Sequence, residues 1–593
     1  MEAVVELAKP GGLPIPDAPR GTIPGEILAR CREYGGRTYT RHWDGKQWVE
    51  TTWSGFAQQS LAIAAALIAE GVKAGDRVLL MSENRIEWLL CDLAIQCAGA
   101  ITVGVYPSST LPTVAAIVRD TGAKFAIAAG EERVGMISEA GVPRVVQLET
   151  AVARWRRRRV EEAELEALAE RMAAMTPDSI ATIIPTSGTT GEPKGVMLRH
   201  RNFTDMAHAA LHVFDFSPAD MVLSFMPYAH SYERIEGIFV PTMAGCTITL
   251  TRGMDRLRED LAEVRPTAML GFPRMFEKFY QAVLDTVAHA PMHKRLMFRA
   301  GMWVGTRRAE RNDVVARGPV EGLADRLVLK PMHQKLTGGR LRFFVSGGAP
   351  LNQTVEEFFW ALGVKILQGW GLTETTAAAT ANTESEHRYR TVGKPLPGIE
   401  ARIAEDGEIL VRGPAVMAGY MNRPKETAEA LADGWFHTGD IGVFDAEGFL
   451  TITDRKKDLL KTSGGKFIAP QPIEAALMSD RYVSSAMVLG DTRPYAIALI
   501  VPDWEALIRD RGLKGERGTL CNDEEVRSYF RSLVDGVNRS LAGFETVKRF
   551  ALLPADFSEQ TGELTPTLKP RRRVVIEHNQ PLIDALYAQP RES

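Results

Sequence analysis

Through the first three-quarters of the chain, short apolar runs rich in branched and aromatic residues alternate with longer amphipathic ones. RVLLM (77–81), ITVGVYP (101–107), FAIAAG (125–130), MVLSFMP (221–227), CTITLT (246–251), TAMLGFP (267–273) and LRFFVSGG (341–348) read as buried strands. RIEWLLCDLAIQCAGA (85–100) and PTVAAIVRDTGA (112–123) read as helices between them. Such alternation predicts an α/β fold with mostly parallel strands. Past about Ile399 the pattern changes to short strands punctuated by Gly and Asp, as in ARIAEDGEILVRG and IGVFDAEGFLTITD. From Arg455 onward, strand-like AMVLG and YAIALIVPD mix with a helical segment and a basic tail at Lys569–Arg573. The expected organisation is a large N-terminal domain over 1–453, built of two α/β subdomains. It carries a helical insertion over about 281–340 and a β-rich subdomain over about 399–453, and a small α+β domain follows over 454–593.

A charge-free stretch, 93–118, invites a membrane-span reading, but Gln96, Pro107, Ser108, Ser109 and Pro112 break any continuous apolar helix. A helix, a buried strand and a turn are expected there instead. Length then rules out a single core: 593 residues exceed the roughly 250–300 that one core supports. A formal charge of −3, with 45% hydrophobic and 24% charged residues, describes a soluble globular protein and excludes a disordered or polybasic nucleic-acid-binding chain. Five scattered cysteines show no C-x-x-C spacing, so neither a zinc site nor a disulfide framework is expected. The opening MEAVVELAKPGGLP, with Glu2, Glu6 and a Pro-Gly break, does not resemble a signal peptide, and a cytoplasmic location is expected. The run RWRRRR from Arg154 precedes an acid-rich helix pattern and reads first as a solvated linker. Its alternative is contact with an anionic membrane surface at the inner face.

Five segments carry chemistry. TSGTTGEPKGVML (186–198) follows an apolar run, and its glycines and hydroxyls bring backbone N–H groups close to a polyphosphate while Lys194 adds charge. Pro193 before Lys194 and Gly195 after it exclude a Walker A loop. QGWGLTETT (368–376) offers the Thr373 hydroxyl, the Glu374 carboxylate as a hard Mg²⁺ ligand, and the Trp370 face for a purine. Glu374 stands where a dinucleotide fingerprint needs its third glycine, so that reading is disfavoured. GWFHTGDIG (434–442) places Asp440 to accept hydrogen bonds from ribose hydroxyls. TDRKKDLLKTSGGKFIAP (453–470) and LTPTLKPRRR (564–573) complete the set.

In this order, the five segments resemble the adenylate-forming superfamily of acyl-CoA synthetases, acyl-activating enzymes, firefly-type luciferases and peptide-synthetase adenylation domains, over nearly the whole chain. MPYAHSYERI (226–235), GFPRMFEKFY (271–280) and the insertion after Tyr280 look like the long-chain fatty acyl-CoA synthetases. The resemblance implies ATP-dependent activation of a long-chain fatty acid through acyl-AMP to acyl-CoA, with release of AMP and pyrophosphate and a mobile C-terminal domain. It implies ATP, Mg²⁺ and coenzyme A as cofactor and co-substrates. Thr186 and Glu374 would hold Mg²⁺, and Ser187, Gly188, Thr189, Thr190, Gly191 and Lys194 would cradle the β- and γ-phosphates. Thr373 would touch the α-phosphate, and His230 would lie beside the acyl and adenylate site. Gly347, Gly348 and Ala349 would line the adenine slot with Gln368, Gly369 and Trp370, where many relatives have tyrosine at the last position. Asp440 and Arg455 would hold the ribose, with Lys457 and Lys461 as secondary contacts. Lys569 would bridge carboxylate and phosphate oxygens in the transition state. Gly464 and Gly465 would admit the pantetheine arm, and Asp454 would be the hinge. Two alternatives stay open: an acyl-AMP ligase that loads a carrier protein, and a non-enzymatic lipid-binding relative. No nucleic-acid partner is implied; peripheral membrane contact and a homodimer are left open.

Overall fold

The computed structural model describes residues 14–187, 193–311, 318–558, 560–564 and 570–588. The chain divides into two compact units, one of residues 1–402 with 410–437 and the other of 403–409 with 438–593. Two sheets form the first unit among the described residues. Arg77–Met81, Ile101–Val105 and Phe125–Ala128 pair in parallel in a seven-stranded sheet, with Ile180–Ser187 beside Ile101–Val105. A nine-stranded sheet sets Met221–Ser224, Ala268–Gly271, Phe343–Ser346 and Lys365–Trp370 side by side, also in parallel. The expected alternation is therefore borne out, and the strands are buried on both faces as parallel strands require. The stretch 93–118 is the end of helix Ile86–Cys97, the buried strand Ile101–Val105, and the start of helix Leu111–Thr121. No described helix is long and apolar enough to cross a membrane.

The sequence pattern did not suggest the hairpin Thr38–Trp43 with Trp48–Thr52, which extends the nine-stranded sheet alongside Thr247–Leu250. Its strands carry alternating polar residues, and its turn is closed by the Asp44 carboxylate, which accepts from Lys46 and Gln47 N–H at 2.8 Å each. The arginine run is half consumed inside the fold. Arg156 pairs with Glu87 at 2.9 Å and Arg158 with Glu164 at 2.6 Å, while Arg154, Arg157 and Arg159 stay exposed. All five cysteines are free thiols and buried.

The helical insertion holds α1 (Pro273–Ala288), α2 (Met292–Ala309) and α3 (Lys330–Thr337). The buried side of α2 carries Gly301 and Gly305. A Cβ on Gly301 would stand 2.7 Å from Val328, and one on Gly305 would stand 2.2 Å from the Ala361 carbonyl oxygen, so only glycine permits this approach. Arg308 of α2 is buried and pairs with Asp325 at 2.7 Å.

The short strands expected beyond Ile399 form at Glu400–Ile403, Glu408–Arg412, Phe436–Phe444 and Leu450–Arg455. In the second unit, Val483–Leu489, Ala496–Pro502 and Val547–Leu552 make a three-stranded sheet. Ile473, Leu477, Trp504, Phe530 and Val534 cover one face of it and Val575, Ile583 and Leu586 the other.

One buried ion pair ties the two sheets of the first unit. Arg234, 3% exposed, donates from Nε to Asp92 at 2.9 Å and from Nη1 to the Thr182 hydroxyl at 2.6 Å. Asp92 lies on helix Ile86–Cys97 and also accepts from the Thr102 hydroxyl at 2.8 Å. Removing one partner strands a buried charge, at about 3 kcal/mol or more. We expect Arg234→Met to lower unfolding stability by about that amount in a denaturant titration, and Arg234→Met with Asp92→Leu to lose much less than the two single losses summed. Additive losses would show that the pair carries no coupling.

Candidate functional site

The second motif is delivered by strand Lys365–Trp370, which ends at Trp370 and runs into a tight 3₁₀ turn, Thr373–Thr375. Thr376 and Ala377 then take left-handed conformations, at φ +54° and +77°, which cost non-glycine residues of order 1–3 kcal/mol each. The turn is held by the Thr376 hydroxyl on the Ala415 carbonyl at 2.5 Å and by Met417 N–H on the Glu374 carbonyl at 2.8 Å. The Glu374 side chain is placed as firmly: its Oε1 accepts from the Tyr420 hydroxyl at 2.9 Å. Its other oxygen makes no hydrogen bond among the described residues, which leaves a hard anionic ligand position.

Tyr420 joins this motif to the first. The strand Gly419–Tyr420 pairs antiparallel with Pro193–Arg199, Tyr420 opposite Val196. That strand in turn pairs with Ile180–Ser187, setting Thr186 opposite Lys194, and the Thr186 hydroxyl meets the Lys194 carbonyl at 3.3 Å. Lys194 Nζ lies 5.1 Å from the centre of the Tyr420 ring, within cation–π range. Thr186, Lys194 and Glu374 are thus gathered about one tyrosine that sequence reasoning missed. Burial and the Glu374 charge push the Tyr420 phenol well above its usual range, so it stays a donor. The side chain of Ser187, and Gly188, Thr189, Thr190, Gly191 and Lys569, lie outside the residues the structure describes.

Three consecutive residues serve the rest of this face. His230 Nδ1 accepts from Tyr232 N–H at 3.1 Å, which holds the ring, and the Tyr106 ring lies 6.5 Å away. Ser231 shares a hydrogen bond with the Thr373 hydroxyl at 3.1 Å. Tyr232 donates to the Val345 carbonyl at 2.9 Å, and its ring packs on Gly347, where a Cβ would stand 3.1 Å from Cζ. Ser231 and Tyr232, the two residues after His230, thus set this segment against Thr373 and Gly347. Gly348 takes φ +86°, an opening beside Ala349. Gln368 donates from its side-chain amide to buried Glu356 at 2.9 Å, and its backbone carbonyl accepts from Asn382 N–H at 2.8 Å. Its amide nitrogen is thus committed to the buried Glu356 carboxylate. Gly369 lies in the ladder opposite Ala381, and Trp370 opposite Thr380.

In the second unit, Asp440 and Arg455 stand opposite each other on paired strands, with Arg455 Nε 2.9 Å from Asp440 Oδ1. Lys457 and Lys461 are exposed, and Lys461 Nζ lies 5.6 Å from the Phe467 ring centre. Gly464 and Gly465 form the exposed tip between Leu460–Lys461 and Phe467–Ile468, Gly465 at φ +77° with open space where a Cβ would project. Asp454, 1% exposed, accepts from Arg455 N–H at 2.6 Å, and its Oδ2 is enclosed without a hydrogen-bond partner. Burial pushes its carboxyl up to about 6.

Two further carboxyls sit just after the His230 segment. Glu233, 1% exposed, takes a hydrogen bond from Ser224 while its Oε2 is enclosed and unpartnered. One turn on, Glu236 has an equally unpartnered Oε1. Desolvation pushes both carboxyls up to about 8. Nothing in the spacing marked them, because the desolvation comes from packing against the sheet.

Residues 28–421 match the AMP-binding enzyme family, and residues 457–591 match the AMP-binding enzyme C-terminal domain. The chain is 36% identical over 571 residues to the long-chain-fatty-acid–CoA ligase FadD15 of Mycobacterium bovis, a span of 93% of this chain and 94% of that protein. It is 31% identical over 576 residues to long-chain-fatty-acid–CoA ligase 1 of Homo sapiens, covering 90% and 81%. Among solved structures, the anthranilate CoA ligase AuaEII with anthranoyl-AMP superposes with a TM-score of 0.73 at 19% identity, over 97% of this chain and 99% of that one. ATP-bound MatB from Rhodopseudomonas palustris gives 0.69 at 22%, over 95% and 99%. These structures establish the fold.

The Glu233 carboxyl carries a stability consequence with a definite sign. Its folded pKa, about 8, lies above the unfolded value near 4.5, so the folded state binds the extra proton. Its contribution is fully present below pH 4.5 and is lost as pH rises to 8. We expect Glu233→Gln to remove a fall on the order of a few kcal/mol between pH 5 and 8 in thermal or denaturant unfolding. Parallel wild-type and variant curves across that window would place the carboxylate in a polar environment instead.

Proposed function

Because the chain belongs to the AMP-binding enzyme family and is an AMP-forming long-chain fatty acid–CoA ligase, we propose a division of its residues between two half-reactions. In the first, a fatty carboxylate attacks the α-phosphorus of ATP and pyrophosphate leaves. In the second, the CoA thiol attacks the acyl carbonyl and AMP leaves. The observation that carries the reading is the gathering of Thr186, Lys194 and Glu374 about Tyr420.

Lys194, held over the tyrosine ring, sets a positive charge where the phosphates enter. Thr373, oriented by Ser231, donates to an α-phosphate oxygen, where negative charge grows during attack. Trp370 and the Gly347 strip, backed by Tyr232, take the adenine face on. Asp440 accepts from the ribose hydroxyls. Lys569 supplies an ammonium between the two anions that must meet, which offsets their repulsion in a site shielded from water. Glu374, with one oxygen fixed by Tyr420 and one left over, and the Thr186 hydroxyl are hard oxygen donors of the kind Mg²⁺ takes. When bound, Mg²⁺ would neutralise phosphate charge. Gly464 and Gly465 leave a backbone-wide passage for the pantetheine arm, and Asp454 is the pivot that exchanges one face of the second unit for the other. Peripheral contact with anionic membranes, where it occurs, would draw on Arg154, Arg157 and Arg159.

Lys569→Ala should cut acyl-AMP formation by about 10² to 10³, the loss of one preorganised charge-stabilising group, while supplied acyl-AMP still reacts with CoA. Gly465→Leu should do the reverse, retaining pyrophosphate release and losing acyl-CoA, and Asp454→Pro should resemble it by restricting the pivot. Both halves are assayed separately on each folded variant; equal damage to both by Lys569→Ala would end the two-face account. Glu374→Gln should depress adenylation sharply at sub-millimolar Mg²⁺. Tyr420→Phe should show a milder form of the same defect, about tenfold, because a hydrogen bond to a charged group is worth about 1.5–3 kcal/mol and only the placement of the carboxylate is lost. Tyr420→Phe with wild-type Mg²⁺ dependence would remove the tyrosine from the site.

A further inference from the structure

The insertion frames an open cleft of about 440 Å³ between α1, α2 and α3, lined by none of the candidate-site residues named above. Its walls are apolar: Val283 and Val287 from α1, Phe298 from α2, and Val328, Met332 and Leu336 from the segment that ends in α3. The size falls within the roughly 300–1,000 Å³ of small-molecule sites. Four basic residues line the same cleft, namely Arg258, His293, Lys294 and Lys335, and no acidic side chain does. None of the four makes an ion pair among the described residues. The cleft is also structurally fixed, since α2 is locked by the Gly305 approach to Ala361 and by the buried Arg308–Asp325 pair at 2.7 Å.

An apolar interior with unpaired cations and no anion complements a ligand with a long apolar body and one anionic end. The basic side chains are exposed at the rim of the cleft, where a neutral lipid would make no use of them, and a free phosphate would leave the apolar walls uncovered. We propose that this cleft is a second binding site for a long-chain fatty acid, which holds the acid as its free carboxylate outside the reaction centre. Only the identity of the acid rests on the function proposed above; the cleft's complementarity does not. Val283 stands ten residues beyond the start of α1, about 15 Å along the helix at 1.5 Å per residue. The start of α1 follows strand Ala268–Gly271, whose Gly271 carbonyl accepts from Gly347 N–H at 3.4 Å. We place in the cleft a different molecule from the one undergoing reaction, because its carboxylate would lie against the cleft's own cations.

The test is photolabelling of the full-length protein with a diazirine-bearing palmitic acid, below its aggregation concentration and without ATP, followed by peptide mapping. We expect adducts on peptides containing Met297 or Met332, reduced at least tenfold in Lys294→Glu/Lys335→Glu and reduced by high salt in the wild type, which needs no variant to fold. The methyl ester of the same probe should leave these peptides unlabelled. Labelling confined to peptides elsewhere, or equal labelling by acid and ester, would overturn the proposal. So would capture of the protein by phosphatidylglycerol vesicles through the same two lysines with no labelling by the free acid, which would make the cleft part of a lipid-surface contact. Pyrophosphate release is measured on the same samples. An inactive protein that still labels the cleft breaks the ligase reading and leaves this one standing, and an active protein that does not label it does the opposite.

Discussion

The catalytic face depends on a charge that never meets a substrate. Arg234 is buried between the two sheets of the first unit and is satisfied by Asp92 and Thr182, which belong to the seven-stranded sheet and the helix packed on it. Arg234 itself follows a strand of the nine-stranded sheet. An ion pair of this kind gains little net stability, because desolvation offsets its Coulomb energy, but it is intolerant of alternatives. The consequence is geometric. Arg234 anchors the end of the segment His230 to Glu233, in which Ser231 meets Thr373 and Tyr232 meets Val345 and Gly347. Order at the reacting centre is thus inherited from order in the core.

Tyr420 does for Glu374 and Lys194 what Arg234 does for the His230 segment. One aromatic residue offers a polar tip to Glu374 and a π-face to Lys194, so a carboxylate and an ammonium are placed without being allowed to neutralise each other directly. Had the two formed a simple salt bridge, each would have been less available to an incoming metal or phosphate. The left-handed pair Thr376 and Ala377 adds the strain that such placement carries, offset by hydrogen bonds to Ala415 and Met417.

What could be read in the sequence follows from how local each requirement is. The parallel strands are legible because burial on both faces makes them continuous apolar runs. The glycine and threonine motif after Thr186 stands out in the sequence because a phosphate loop would demand small residues in succession, and its loop lies outside the described residues. The Thr38–Trp43 hairpin is not, since an edge pair with one solvated face carries a weak pattern. Tyr420 lies 46 residues from the carboxylate it orients, and no period links the two. Gln368 shows the converse: it stands inside a ligand motif, yet its amide nitrogen is engaged by Glu356, a contact that only the packing around Glu356 and His387 decides.

The five buried thiols acquire a meaning from the chemistry around them. Acyl adenylates and thioesters are both acylating agents, and any cysteine thiolate within reach would compete with CoA for the acyl group. Burial pushes the Cys31 and Cys246 thiols up to about 12 and moves those of Cys91, Cys97 and Cys521 in the same direction. Burial thus holds these thiols in the protonated form, which is a poor nucleophile, and leaves the CoA thiol to take the acyl group.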